Sequence, residues 1–300
     1  MYRILCIATT LFAVSAFSQE IAITIDDAPA PDSNLFAGEE RTQKLIESLK
    51  KSDVSDVLLF VKTNNITEHS KKRLEAYVDA GFHLGNHSHN HYSANRKDVD
   101  VYLSDIALAH DRLKSFGNLL PFYRYPFLHE GNDRKVRDRI RRFLKSMGYQ
   151  SGYVTVDNYD WYMDKLLQQA LADGREIDYE ALKKAYVTIL WESIKFYDEV
   201  AQQSLGRSPR HVLLLHENDM AALYIGDLIS HIRSNGWVII SPEEAYKDPI
   251  ASSVPDVLYN KQGRVAAIAK SKGWDTKFLR HESESEDFLD NYFKDNGVYK

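Results

Sequence analysis

Cysteine is all but absent: Cys6 is the only one in 300 residues. It lies in an apolar N-terminal stretch, so a chain trimmed after that stretch has none. That excludes disulfides, thiolate nucleophiles and thiolate metal ligands from a mature form. A metal would be held by imidazole and carboxylate alone, which suits Zn²⁺ or another divalent transition ion. Excess basic charge is absent too. There are 38 Lys and Arg against 43 Asp and Glu, a net charge of −5. That balance argues against nucleic acid or anionic lipid as partner and fits a neutral or cationic substrate. Past residue 18 no apolar run approaches the roughly 20 residues of a membrane helix. No internal repeat and no low-complexity linker is present.

The first 18 residues read as a secretory signal peptide. Arg3 supplies the positive end, Ile4 to Phe17 a mostly apolar stretch too short to span a bilayer, and Ala16-Phe17-Ser18 small residues before a cleavage point. The expectation is an exported protein, periplasmic or secreted, with no transmembrane segment in the mature chain. The 18 Tyr are read first as core and only second as a sugar-binding surface.

Strand-like runs fall at 21–25, 56–61, 82–86, 121–125, 151–156, 211–215 and 236–240. Helical periods lie between them, at 39–51, 67–80, 98–117, 133–147, 178–205 and 220–235. Thr67 is an N-cap candidate, and several of these helices end at a glycine. The alternation predicts a parallel sheet with helical crossovers, closed or nearly closed into a seven-stranded (β/α) barrel; an open doubly wound sheet is the alternative. The predicted organisation is a barrel over 19–250, a helical insertion at about 162–210 and a polar, partly helical extension over 251–300; both are read first as packing and solvated surface, and the insertion only second as the rim of a substrate cleft.

Five polar motifs follow the strand runs in order. They are Ile25-Asp26-Asp27, His87-Ser88-His89-Asn90-His91, Arg124-Tyr125-Pro126-Phe127, Asp157-Asn158-Tyr159-Asp160-Trp161 and Leu213-Leu214-Leu215-His216. In a parallel barrel all strand ends meet on one face, where barrel active sites form. His87 and His91, four apart, would chelate one ion from a tight loop, and His87 with His89 would do so from an extended one. Adjacent carboxylates repel, so Asp26-Asp27 calls for a cation nearby. In an extended chain the two would point in opposite directions and take different tasks. Arg124 is placed to pair with a carboxylate. Asp160 offers to hold a histidine by one ring nitrogen, Trp161 a face for a sugar or an acetyl methyl, and Leu214 a contact for a small acyl group. His216 ends an apolar strand, either as a satisfied core residue or at the catalytic face.

Taken together, these motifs resemble those of the polysaccharide deacetylases of the NodB-homology class, carbohydrate esterase family 4. The family's motifs read Thr-Phe-Asp-Asp, His-Ser/Thr-x-x-His, Arg-x-Pro-Tyr, Asp-x-x-Asp-Trp and Leu-x-Leu-His. Here Ile25 replaces the phenylalanine and Phe127 the tyrosine; the other three are complete. The resemblance implies a distorted barrel with a divalent metal on Asp27, His87 and His91. It implies Asp26 as general base and His216 as general acid, oriented by Arg124 and Asp160 respectively, and the Phe127 N–H in the oxyanion hole. The activity it implies is hydrolysis of a linear amide, removal of acetyl groups from an acetylated glycan, with no protein partner. Two other readings stand beside it: a metal-free glycoside hydrolase working with Asp26 and Asp160, and a non-catalytic carbohydrate-binding module on the same fold.

Overall fold

The central strand runs at 21–26, 58–61 and 211–215 are buried along their length, which is what a parallel sheet covered by helices requires. The computed structural model describes residues 18–300; the leader expected at 1–18, with Cys6, lies outside the described residues but for Ser18. The described residues form seven strands: β1 (Glu20–Ala28), β2 (Leu58–Val61), β3 (His83–Asn86), β4 (Leu119–Tyr123), β5 (Gln150–Ser151), β6 (His211–His216) and β7 (Val238–Ile239). Their order is β5-β4-β3-β2-β1-β6, all pairs parallel, with β7 on β1.

The sheet curls as the barrel reading expects, and residues 152–156 join its two edges. Gly152 N–H donates to the Tyr123 carbonyl of β4 at 2.7 Å; Val156 N–H then donates to Val212 of β6 at 3.1 Å. The strand expected at 151–156 is therefore two residues of β5 followed by a crossing segment with one bridge, Val156 to Leu213. It cannot stay on β4 throughout, because its pairing passes from one edge of the sheet to the other. Distortion also enters at β1. Its first residues, Glu20 and Ile21, pair with β7, whereas Thr24 to Ala28 pair with β2 on the same side.

Helices α1 (Gly38–Lys51), α2 (Glu68–Asp79), α3 (Val99–Leu113) and α4 (Arg134–Ser146) are the crossovers of the first five strands. Thr67 caps α2 with a reciprocal bond pair to Ser70, as its sequence position foretells. The stretch at 162–210 resolves into α5 (Asp160–Ala172) and the 27-residue α6 (Tyr179–Leu205), which ends on left-handed Gly206. Next come α7 (Asp219–Ser234), α8 (Pro242–Tyr246), α9 (Gly263–Ser271) and α10 (Glu286–Asp295). The last 50 residues are more than solvated surface: Leu279, Leu289, Phe293 and Val298 are buried in the same core as the strands. Among the described residues no helix is long and apolar enough to cross a membrane.

Candidate active site

Parallel strands place Asp26, His87, Arg124, Asp157 and His216 at or just beyond C-terminal strand ends, on one rim. Asp26 is still in register, paired with His216 on β6 and Phe60 on β2. Asp27 is not extended: its φ is 67°, and the register with β2 slips between Asp26 and Ala28. The bulge brings both carboxylates to the same cleft, contrary to the opposite-face expectation for an extended pair. Ser88, His91 and Phe127 also have positive φ, of 68°, 56° and 57°. Such conformations cost on the order of 1–3 kcal/mol each and persist only where the surroundings impose them.

Asp26 is buried against Arg124, whose Nη1 donates to both carboxylate oxygens at 2.9 and 3.1 Å. Burial pushes the Asp26 carboxyl up to about 6, even though Arg124 pulls it down. The guanidinium is itself fixed: Nε donates to the Gly152 carbonyl, Nη2 to Thr24 Oγ1 at 3.0 Å and to the Tyr246 hydroxyl at 3.3 Å. It lies 4.3 Å from the centre of the Phe60 ring. The loop after β5 thus holds the guanidinium partner of Asp26 in place.

Asp27, His87 and His91 converge. Asp27 Oδ1 lies 3.5 Å from His91 Nε2 and 3.8 Å from His87 Nε2, and the two imidazole nitrogens are 3.2 Å apart. His87 Nδ1 donates to the Arg124 carbonyl at 2.8 Å, which leaves its Nε2 lone pair facing the centre. Burial pushes both histidines down to about 4, so they are neutral at pH 7. Burial would raise Asp27 as well, but His91 and His87 outweigh it and hold the carboxyl below its usual value. Asp27 Oδ1 is buried with no hydrogen-bond partner among the described residues. An orphaned carboxylate oxygen beside two neutral imidazoles fits a divalent cation. His89 is not among the converging donors; its Nδ1 pairs with the Thr63 hydroxyl at 2.9 Å.

Across the cleft, His216 Nδ1 donates to Asp160 Oδ1 at 2.7 Å. The other Asp160 oxygen accepts from the His216 backbone N–H and from Asn218. Burial works against a charged His216, but the Asp160 carboxylate, then Asp27 and Asp26, raise it to about 10. His216 is therefore not a neutral core residue. Asp160 is fully buried beneath it, and so is not open to a substrate as the second carboxylate of a glycosidase.

The cavity between these groups measures about 440 Å³. Phe127 and Trp161 line it while exposed, and Leu214 forms part of its wall. The sequence reading assigned no role to Asp157, His129 or Lys261, which also line it. Asp157 sits in a recognised motif; burial and Glu284 from the C-terminal extension push its carboxyl well up. Lys261 belongs to that extension, outside every motif, and no sequence signal marks it. The insertion at 162–210, for which a cleft rim is the second reading, contributes none of the lining residues.

A family model described as polysaccharide deacetylase matches residues 15–152. Over that segment the chain is similar to the polysaccharide deacetylases. The deacetylase fold extends further, through the structures it resembles. One, the T48 deacetylase with substrate, has a TM-score of 0.50 at 17% identity, covering 76% of this chain and 91% of that one. A family 4 carbohydrate esterase pseudoenzyme from Bacillus anthracis scores 0.52 at 15% identity, over 76% of this chain and 65% of that one. A mutant of that pseudoenzyme described as having restored enzymatic activity scores 0.51 at 16% identity, covering 76% and 67%. No curated protein matches the sequence.

Proposed function

We propose that this polysaccharide deacetylase domain hydrolyses the acetyl amide of an N-acetylhexosamine glycan outside the cytoplasm, with the leader at 1–18 removed. The observation that carries the reading is the pairing of two differently tuned groups across one cleft. Asp26 is a carboxyl raised to about 6 and His216 an imidazole raised to about 10, on either side of the Asp27, His87 and His91 donor set. Divergent tuning of neighbouring groups marks a base and an acid.

Asp27, His87 and His91 would hold the metal, for which Zn²⁺ suits two imidazoles and a carboxylate. When bound, such an ion acidifies a water and polarises an acyl oxygen. Asp26, ionised and held by Arg124, takes the proton of the attacking water. The Phe127 N–H donates to the oxyanion. His216, kept protonated by Asp160, gives its proton to the departing nitrogen, which leaves poorly without one. Leu214 offers an apolar wall for the acetyl methyl, and Trp161 an exposed ring for a sugar face.

The test is acetate release by residues 19–300 from a panel of acetylated glycans, as purified, after chelation and after Zn²⁺ is restored. Release that vanishes and returns with the metal supports the reading. No release from any substrate, with glycan still bound, supports a binding module instead.

A further inference from the structure

A second cavity of about 40 Å³ lies behind the catalytic cleft and shares Tyr125 and Leu128 as walls. One water occupies roughly 10–15 Å³ on this scale, so there is room for about three waters or one small anion. Four guanidinium groups line it, those of Arg124, Arg137, Arg141 and Arg264. Three are matched by carboxylates: Arg124 by Asp26, Arg137 by Asp138 and Asp256, Arg141 by Glu130. Arg264 has no carboxylate within 4 Å among the described residues. It is 5% exposed, and its Nη1 donates only to backbone carbonyls, those of Ile250, Ala251 and Ser253, at 3.2–3.4 Å. Its Nη2 makes one long contact, 3.5 Å to Ser151 Oγ.

Two further donors on the wall are unsatisfied. Arg137 Nη1 and the Tyr153 hydroxyl are buried without a hydrogen-bond partner among the described residues. Arg264 stacks 4.6 Å above the Tyr153 ring, so the orphan hydroxyl and the unmatched guanidinium belong to one cluster. A buried guanidinium without a counter-charge and two donors without partners are costly, and an anion in the cavity they line would supply both a charge and acceptors. We propose that this cavity binds a small free carboxylate. A single negative charge matches the one guanidinium, Arg264, that has no carboxylate partner, and the volume admits a carboxylate of two or three heavy atoms beyond its carbon. The inference does not rest on the cleft's being a deacetylase.

The experiment is calorimetric titration of the full chain with acetate, with metal bound and again after chelation, beside phosphate and chloride at matched ionic strength. Tyr153→Phe removes one oxygen that has no partner, so it leaves the fold intact. It should weaken acetate at this site about tenfold, the worth of one hydrogen bond to a charged group. Arg264→Met should abolish binding there. The site should persist after chelation, which separates it from any acetate at the metal. Absence of binding in both metal states, or equal affinity in wild type and Tyr153→Phe, would overturn the proposal. Phosphate bound more tightly than acetate would overturn the assignment to a carboxylate.

Discussion

At the scale of single residues, the cleft is a set of charges whose protonation is fixed by what each one touches. Asp26 is set by burial working against Arg124, and His216 by Asp160 working against burial. Asp26→Asn should lower kcat by about 10²–10⁴, the usual worth of a general base, with one metal per chain still found by elemental analysis, because Asp27, His87 and His91 are untouched. The pH dependence follows from the directions. Asp26 must be ionised to accept a proton, so kcat/KM should rise with pH through about 6. His216 must be protonated to donate, so it should fall toward about 10. Asp160→Asn removes the anion that favours the charged imidazole, and the alkaline limb should move to lower pH. The acidic limb should stay in place. These residues were legible because their types and order are unusual. The left-handed turn at Asp27 was not, since it comes from a register slip between two strands.

At the scale of elements, helices and loops divide the work. The Thr67 cap of α2 holds a helix that lies away from the cleft. Thr67→Ala should cost about 1 kcal/mol of stability, seen in denaturant midpoint, and leave kcat alone. The crossing segment after β5 behaves differently. A Cβ on Gly152 would sit 2.5 Å from Phe60 Cζ and 3.1 Å from the Tyr123 carbonyl, and the Gly152 carbonyl accepts from Arg124. Gly152→Ala should therefore destabilise by about 1–3 kcal/mol and also reduce kcat, because Arg124 moves with the loop. The cap could be read from spacing along one helix. The crossing could not, because its partners lie on two strands far apart in the chain.

At the scale of the whole molecule, ring closure and the C-terminal extension decide what the cleft looks like. Residues 152–156 tie β4 to β6 and bring Asp157 and His216 onto one rim. The extension packs into the main core and supplies Lys261 and Glu284 from outside every motif. A cation held by Asp27, His87 and His91 links elements from two strand ends, so its removal should be felt globally. Chelation should abolish turnover. It should also lower Tm in calorimetry, since a ligand present at a thousandfold its Kd contributes about 4 kcal/mol to the folded state. Restoring Zn²⁺ should reverse both.

The sequence by itself determined the alternation of strands and helices and the placement of acids, imidazoles and a guanidinium at strand ends. All of these are local: hydrophobic period, residue type and order are properties of short stretches. Only the tertiary structure decided that Asp26 and Asp27 share a cleft, that His91 and not His89 joins His87, that Asp160 lies beneath His216, and that the extension and not the insertion adds a residue, Lys261, to the cleft wall. Each of these depends on strand register, backbone sign or burial between residues distant along the chain, and a pattern read along one dimension does not carry that information.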